Sequence, residues 1–258
     1  YQFSQYHYNR AVIYKFVNYL SEQKGMEEST SKTLRYTKRW FAYFDLMGFS
    51  NLVRQHEIEH VLPIYEGVLK TIAQKAESMK GISYSWFSDT FILFTKGSSE
   101  KDFALIERVS RLFFQKLIIS KIPVRGSLTI GPLYTQKQKN IFLGEALIDA
   151  YEYGEKQEWL GFILTPSVYE HLKDSSLHLE RRAFYRKVDL PGVITHPKPD
   201  NVYAFAFNNG SINGRNIYLD PLSDMRHKAG IKYKKKYDNT ELFITSQRDF
   251  GSNPSLTA

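Results

Sequence analysis

The sequence predicts an α+β fold of the ferredoxin-like type, with a helical extension before it and a polar tail after it. Three observations carry this. Strand-like and helix-like runs follow the order strand, two helices, hairpin, helix, strand, then helix and strand again, which suits split β–α–β units better than a doubly wound parallel sheet. A chain of 258 residues, 42% hydrophobic and 15% aromatic, can bury a sizeable core, which excludes wholesale disorder. Two short β-rich runs lie so close on either side of Ser88-Asp89 that they must form a hairpin.

In chain order, Val12, Phe16, Val17 and Leu20 recur at helical spacing within residues 7–24, and Gly25 ends that helix. The extension occupies 1–37. Trp40 to Phe44 are aromatic or apolar, then Asp45 and the Gly48 turn follow, as in a buried strand that ends in a charged residue. Val61, Ile64, Val68, Ile72 and Ala76 form one stripe over 57–77, with Pro63 tolerable in the first turns. Residues 82–88 and 90–95 are the hairpin strands. Leu105, Ile106, Val109, Leu112, Phe113 and Leu117 mark a helix over 102–119, and 124–130 is the next strand. A basic loop at 136–140 leads to Gly144 and a helix bearing Ala146, Leu147, Ala150 and Tyr151. Strand 161–164, a small helix from Pro166 to Leu172, and strand 202–207 close a domain spanning 38–208. Beyond it, 209–258 reads as a basic polar tail containing the run Lys234-Lys235-Lys236.

Thirty-five Lys and Arg against 27 Asp and Glu give a formal charge of +8, an invitation to a polyanion: nucleic acid, headgroups or a small polyphosphate. The lysines at 232 and 234–236, flanked by Tyr233 and Tyr237, read as a solvated face rather than a nucleic-acid site. With no cysteine there is no thiolate nucleophile and no disulfide framework, and the chain suits a reducing cytoplasm. No apolar run is long enough to cross a membrane, and the first ten residues lack a secretory apolar stretch. The pair His56 and His60, beside Glu57 and Glu59, is expected on a solvated helix face. A Walker loop is absent.

Asp45 and Asp89 are the informative carboxylates, because each stands at the end of apolar strands, where a bare charge costs several kcal/mol unless it is paired or bound to a cation. Brought together by adjacent antiparallel strands, they can hold Mg²⁺ or Mn²⁺, hard cations that take carboxylate and phosphate oxygens together. The competing reading makes Asp45 a helix N-cap and Asp89 a turn residue. The glycine turn after Asp45 runs into a helix N-terminus, whose backbone N–H groups suit phosphate.

Phe44-Asp45-Leu46-Met47-Gly48-Phe49-Ser50 resembles the first strand and turn of class III nucleotidyl cyclases. Phe87-Ser88-Asp89-Thr90-Phe91-Ile92-Leu93-Phe94 is similar to the family's hairpin with Gly-Asp at its tip. In Val124-Arg125-Gly126-Ser127-Leu128-Thr129-Ile130-Gly131 an arginine is followed six residues on by glycine, as in the family's later strand. Gly144 with Ala150, then Gly161-Phe162-Ile163-Leu164, resembles its closing helix and strand. The similarity runs over about 40–207.

The resemblance implies a homodimer with active sites at the interface and a divalent metal held by Asp45, Asp89 and the main-chain carbonyl of Leu46. It also implies nucleotide contacts from Phe44, Gly48, Phe49 and Arg125, and in-line attack of the ribose 3′-hydroxyl on the α-phosphate with release of diphosphate. Ser85 stands where purine cyclases carry a base-reading lysine or glutamate. Ile148 and Glu152 stand where the family has its transition-state asparagine and arginine, and Ser88 replaces glycine before the second aspartate. Arg125 is then the leading group for neutralising phosphate charge. Lacking purine determinants, the chain most resembles the pyrimidine cyclases of the Pycsar antiphage system, which make cyclic UMP or cyclic CMP for a separate effector. That implies UTP as substrate, with a cytidylate or adenylate cyclase, or a catalytically dead nucleotide sensor, as the alternatives. Tyr84 and Trp86 lie near the implied base pocket and are expected in the core.

Overall fold

The computed structural model describes residues 34–246 apart from 78–79, 176, 178–183, 208–210 and 213–214, and a compact unit begins at Tyr36. The helix expected over 7–24 lies outside the described residues. Strand β1 (Thr37–Leu46) leads into α1 (Phe49–Gln55) and the long α2 (Ile58–Glu77). The hairpin β2 (Ile82–Phe87) and β3 (Thr90–Thr95) follows, then α3 (Glu100–Ile119) and β4 (Val124–Gln136). A 3-10 turn at Lys137–Lys139 and the short β5 (Ile141–Leu143) precede α4 (Glu145–Glu155), β6 (Phe162–Leu164) and α5 (Pro166–Leu172). Strands β7 (Tyr185–Lys187) and β8 (Tyr203–Phe205), a two-residue pair β9 (Ser211–Ile212) and β10 (Arg215–Asn216), and helices α6 (Leu219–Lys228) and α7 (Ile231–Ser246) complete the described residues.

Among the described residues the main sheet runs β2-β3-β1-β4-β6-β8-β7, with β5 pairing on β4. Its first four strands, all antiparallel, are the 4-1-3-2 order of a ferredoxin-like sheet read from the other end, so the expected α+β class holds. Strand alternation sorts the two faces. Trp40, Ala42, Phe44 and Leu46 of β1 enter the larger core against α2 and α3, whereas Phe41 and Tyr43 enter a smaller one with Ile92, Phe94, Ala146 and Ala150. Helix α3 starts at a full capping box, with Ser99 and Asp102 exchanging side-chain and backbone hydrogen bonds. The α2 stripe is buried at Val61, Val68, Ile72 and Ala76 but not at Ile64.

Residues 219–246, within the stretch expected to be a polar tail, form two packed helices instead. Helices α6 and α7 fold back on the larger core and bury Leu222, Met225, Tyr237, Phe243 and Ile244. Their apolar residues are widely spaced among charges, so little amphipathic contrast marks them in the sequence.

Candidate active site

The register of the sheet builds the site. Asp45, the penultimate residue of β1, lies directly opposite Thr90 on β3 and Arg125 on β4, and Thr90 lies opposite Phe87 on β2. Residues directly opposite in an antiparallel pair share a face. One row across four strands therefore carries Phe87, Thr90, Asp45 and Arg125 on the side where α4 packs. Asp89 precedes Thr90 in the two-residue hairpin turn, and its carbonyl accepts the Leu46 N–H at 3.0 Å. The two aspartates thus sit at neighbouring ends of adjacent strands.

Ser88 adopts φ +55°, at the first turn position that type II′ hairpins give to glycine. Left-handed backbone costs a serine roughly 1 kcal/mol, and the Tyr65 hydroxyl braces it by donating to the Ser88 carbonyl at 2.7 Å. The Gly-to-Ser departure therefore changes the residue and keeps a glycine-type conformation.

Arg125 is anchored on three sides. Its Nε donates to Asp45 Oδ2 at 2.9 Å, its Nη2 to Glu155 Oε2 at 2.7 Å, and its Nη1 to the Glu155 carbonyl at 2.8 Å. The Tyr43 hydroxyl donates to the other Glu155 oxygen at 3.1 Å. Burial raises the Asp45 carboxyl most, Arg125 pulls it down, and Glu155 and Asp89 raise it again, leaving it at about 6. Burial also opposes charge on Arg125, but Glu155 and Asp45 outweigh it and hold the guanidinium above its ordinary value. Tyr43 is raised as well, by burial and then by Asp45 and Glu155.

The donor set suits a hard divalent cation. Arg125 takes one oxygen of Asp45, and among the described residues Oδ1 accepts no hydrogen bond, so the carboxylate can face a cation and an arginine together. Gly48, at φ +78°, turns the chain into α1, and its carbonyl accepts the N–H groups of Asn51 and Leu52. Phe49 is half buried against Tyr65, with ring centroids 5.4 Å apart.

Two expectations need correcting. Phe44, assigned to the nucleotide, is fully buried between Phe113 and Phe162, because alternation turns it to the face opposite Asp45. Trp86, expected in the core, is 45% exposed on edge strand β2, stacked beside Tyr84. The letters His56-Glu57-Ile58-Glu59-His60 do spell the HExxH zinc pattern. His56, however, has extended backbone after α1 rather than standing on one helix with His60, so the i, i+4 geometry that pattern requires is missing. Among the described residues no three His, Cys, Asp or Glu side chains gather as a metal cluster, so any cation here relies on two carboxylates and backbone oxygen.

Glu155 and Gln157 belong to the site and were not picked out in the sequence. One signal was available for Glu155. A carboxylate in the last turn of α4 opposes the helix dipole and so calls for a cationic partner.

The result is a ferredoxin-like sheet that carries two aspartates, at the open end of β1 and in the β2–β3 turn, beside an arginine on β4. Solved cyclase domains share the fold. The adenylyl cyclase CyaB from P. aeruginosa matches with a TM-score of 0.51 at 13% identity, over 70% of this chain and 98% of that one. The guanylate cyclase domain of RhGC from Catenaria anguillulae, in complex with GTP, matches at 0.50 and 11%, over 66% and 97%. A monomeric double mutant of the guanylyl cyclase domain of the RhoGC fusion protein from Blastocladiella emersonii matches at 0.51 and 11%, over 66% and 95%. No protein-family model matches the sequence, and no curated protein does. The chain has the fold of these cyclase catalytic domains, nearly complete, and roughly a third of it lies outside the match.

Proposed function

We propose that this chain is a nucleotide cyclase that converts UTP to 3′,5′-cyclic UMP and diphosphate, acting as a cytoplasmic homodimer whose product informs a separate effector in antiphage defence. The observation that carries the cyclase part is the meeting of Asp45 and Asp89 beside a fully anchored arginine on a sheet of cyclase topology. Ser85, in place of a purine-reading lysine or glutamate, supports the pyrimidine part.

Asp45, Asp89 and the Leu46 carbonyl would hold Mn²⁺ or Mg²⁺, which supplies Lewis-acid activation of the 3′-hydroxyl and neutralises phosphate charge. The 3′-oxygen attacks the α-phosphorus as its proton passes to water, and the bond from the α-phosphorus to the bridging oxygen breaks in line, so that diphosphate leaves with that oxygen. Arg125 orients the Asp45 carboxylate and would offer its charge to the phosphates, and the backbone N–H groups of Phe49 and Ser50, which follow the exposed turn at Gly48, would be further phosphate donors. Catalysis of this kind is chiefly positioning, so Asp45→Ala should abolish turnover in a folded protein.

The test is incubation of the purified chain with each of the four nucleoside triphosphates and Mn²⁺, followed by separation of products. Predominant cyclic UMP is expected. Predominant cyclic CMP or cyclic AMP overturns the substrate assignment, and near wild-type turnover by Asp45→Ala overturns the site.

One observation favours a second reading, a nucleotide sensor without turnover. Helix α4 presents Ile148, 57% exposed, and Glu152 where the family carries its transition-state pair. Triphosphate binding without diphosphate release would establish it.

A further inference from the structure

The C-terminal helix reaches the candidate site through the loop 155–160. Lys236 of α7 is 13% exposed, and its Nζ donates to the Gln157 carbonyl at 2.8 Å and lies 3.1 Å from Glu158 Oε1. Arg125 Nη1 approaches that same Gln157 carbonyl at 3.4 Å, so two cations converge on one oxygen. Burial lowers the Lys236 amine, Glu158 raises it, and Arg125 lowers it further. On the same face of α7, Asn239 Nδ2 donates to the Glu158 carbonyl at 2.7 Å, and Thr240 Oγ1 accepts the Leu160 N–H at 2.9 Å. Between these contacts Trp159 meets Phe243 edge to face at 4.5 Å. The loop is tied to β4 in turn, since Gln157 Nε2 donates to the carbonyl of Gly126, the residue after Arg125.

A largely enclosed lysine is a poor device for stability alone, because an apolar side chain of similar size packs at lower desolvation cost. Its value is in fixing a conformation. The conformation fixed here is that of the end of α4 and the loop after it, whose Glu155 and Gln157 oxygens hold Arg125 against Asp45.

We propose that Lys236 is a positioning residue that sets, through the 155–158 loop, where Arg125 is held against Asp45, so that α7 is part of the catalytic apparatus. This rests on the cyclase reading above. The experiment uses the full chain with Lys236→Met, Lys236→Arg, Arg125→Lys, the Lys236→Met/Arg125→Lys double variant, and the exposed control Lys235→Met. Lys236→Met is expected to lower kcat about ten-fold with KM within about two-fold, Lys236→Arg to restore most of it, and Lys235→Met to leave it unchanged. In the Arg125→Lys background Lys236→Met should cost less than about two-fold more, since both changes act on one arrangement.

A second readout needs no turnover. The Nε–Hε resonance of Arg125 in a ¹H–¹⁵N spectrum, assigned by its loss in Arg125→Lys, should move in Lys236→Met and stay in Lys235→Met. Unchanged kcat in Lys236→Met, full multiplication of the two losses, or an unmoved Arg125 resonance would each overturn the proposal. If the wild type forms no cyclic nucleotide, the cyclase reading fails, and the resonance alone decides whether Lys236 places Arg125.

Discussion

At the scale of single residues, Asp45 is a carboxylate whose burial works against stability. Tyr43, Arg125, Glu155 and Asp89 surround it, and burial outweighs the arginine, leaving it at about 6 in the folded chain. An unfolded aspartate titrates near 4, so between about pH 4 and 6 the folded state binds more protons. Stability from this group therefore rises as pH falls through that window, and carrying the charge at neutral pH costs on the order of 2 kcal/mol. Asparagine is close to the neutral carboxyl in shape and removes that cost. In chelator-containing buffer Asp45→Asn should raise Tm at pH 7.5 by roughly 4–8 °C and by much less at pH 4.5, while abolishing turnover. An equal or lower Tm at pH 7.5, or a difference that does not shrink in acid, contradicts this account of Asp45.

At the scale of elements, the site depends on how closely α4 approaches β1. Gly154 allows it, since a Cβ there would stand 2.6 Å from the Tyr43 ring. Glu155, the partner of Arg125, is the next residue. Gly154→Ala should destabilise the fold by roughly 1–3 kcal/mol through overpacking and lower turnover more than ten-fold by displacing Glu155. Gly67, inside α2 with nothing within 4 Å of its Cβ position, is the contrast. There Gly67→Ala should stabilise by about 0.5–1 kcal/mol with turnover unchanged. Thermal unfolding and product assays on both variants check the pair, and equal effects would mean that α4 packing does not govern the site.

Legibility in the sequence follows the same physics. Strand β1, the hairpin, and helices α2, α3 and α5 could be read because their apolar periods are strong and their ends carry Gly48, Pro166 and the Ser88-Asp89 turn. Asp45 and Asp89 stood out because charge at a strand end is unusual. The Arg125–Asp45 pairing needs the β1–β4 register, which links residues 80 positions apart and leaves no local trace. Lys236 was hidden for the opposite reason. It is one of three consecutive lysines, and only packing shows that it alone among them turns inward to the loop.

At the scale of the whole molecule, the chain leaves apolar side chains exposed near the site. Phe87 at the hairpin tip is 83% exposed, and on α4 Ile148 and Tyr151 are exposed too, Tyr151 meeting the Tyr43 ring at 5.7 Å. Phe87 shares its row with Asp45, and Tyr43 bonds Glu155, so both groups adjoin the candidate site. Large exposed apolar side chains beside a polar site are what an interface leaves when its partner is removed. The proposed dimer supplies that partner as a second copy. Wild-type specific activity should therefore fall on dilution as the dimer dissociates. Phe87→Glu and Ile148→Glu should each give a folded monomer by sedimentation and lose most turnover, although neither replaces a metal-binding or arginine-holding group. Mixing either variant with Asp45→Ala then asks whether a site draws on both copies. Recovered activity would mean that the intact Asp45 of one chain works beside the intact apolar face of the other. A wild-type monomer at micromolar concentration, with specific activity independent of dilution, would instead mean that one chain carries a complete site and that these side chains serve something else.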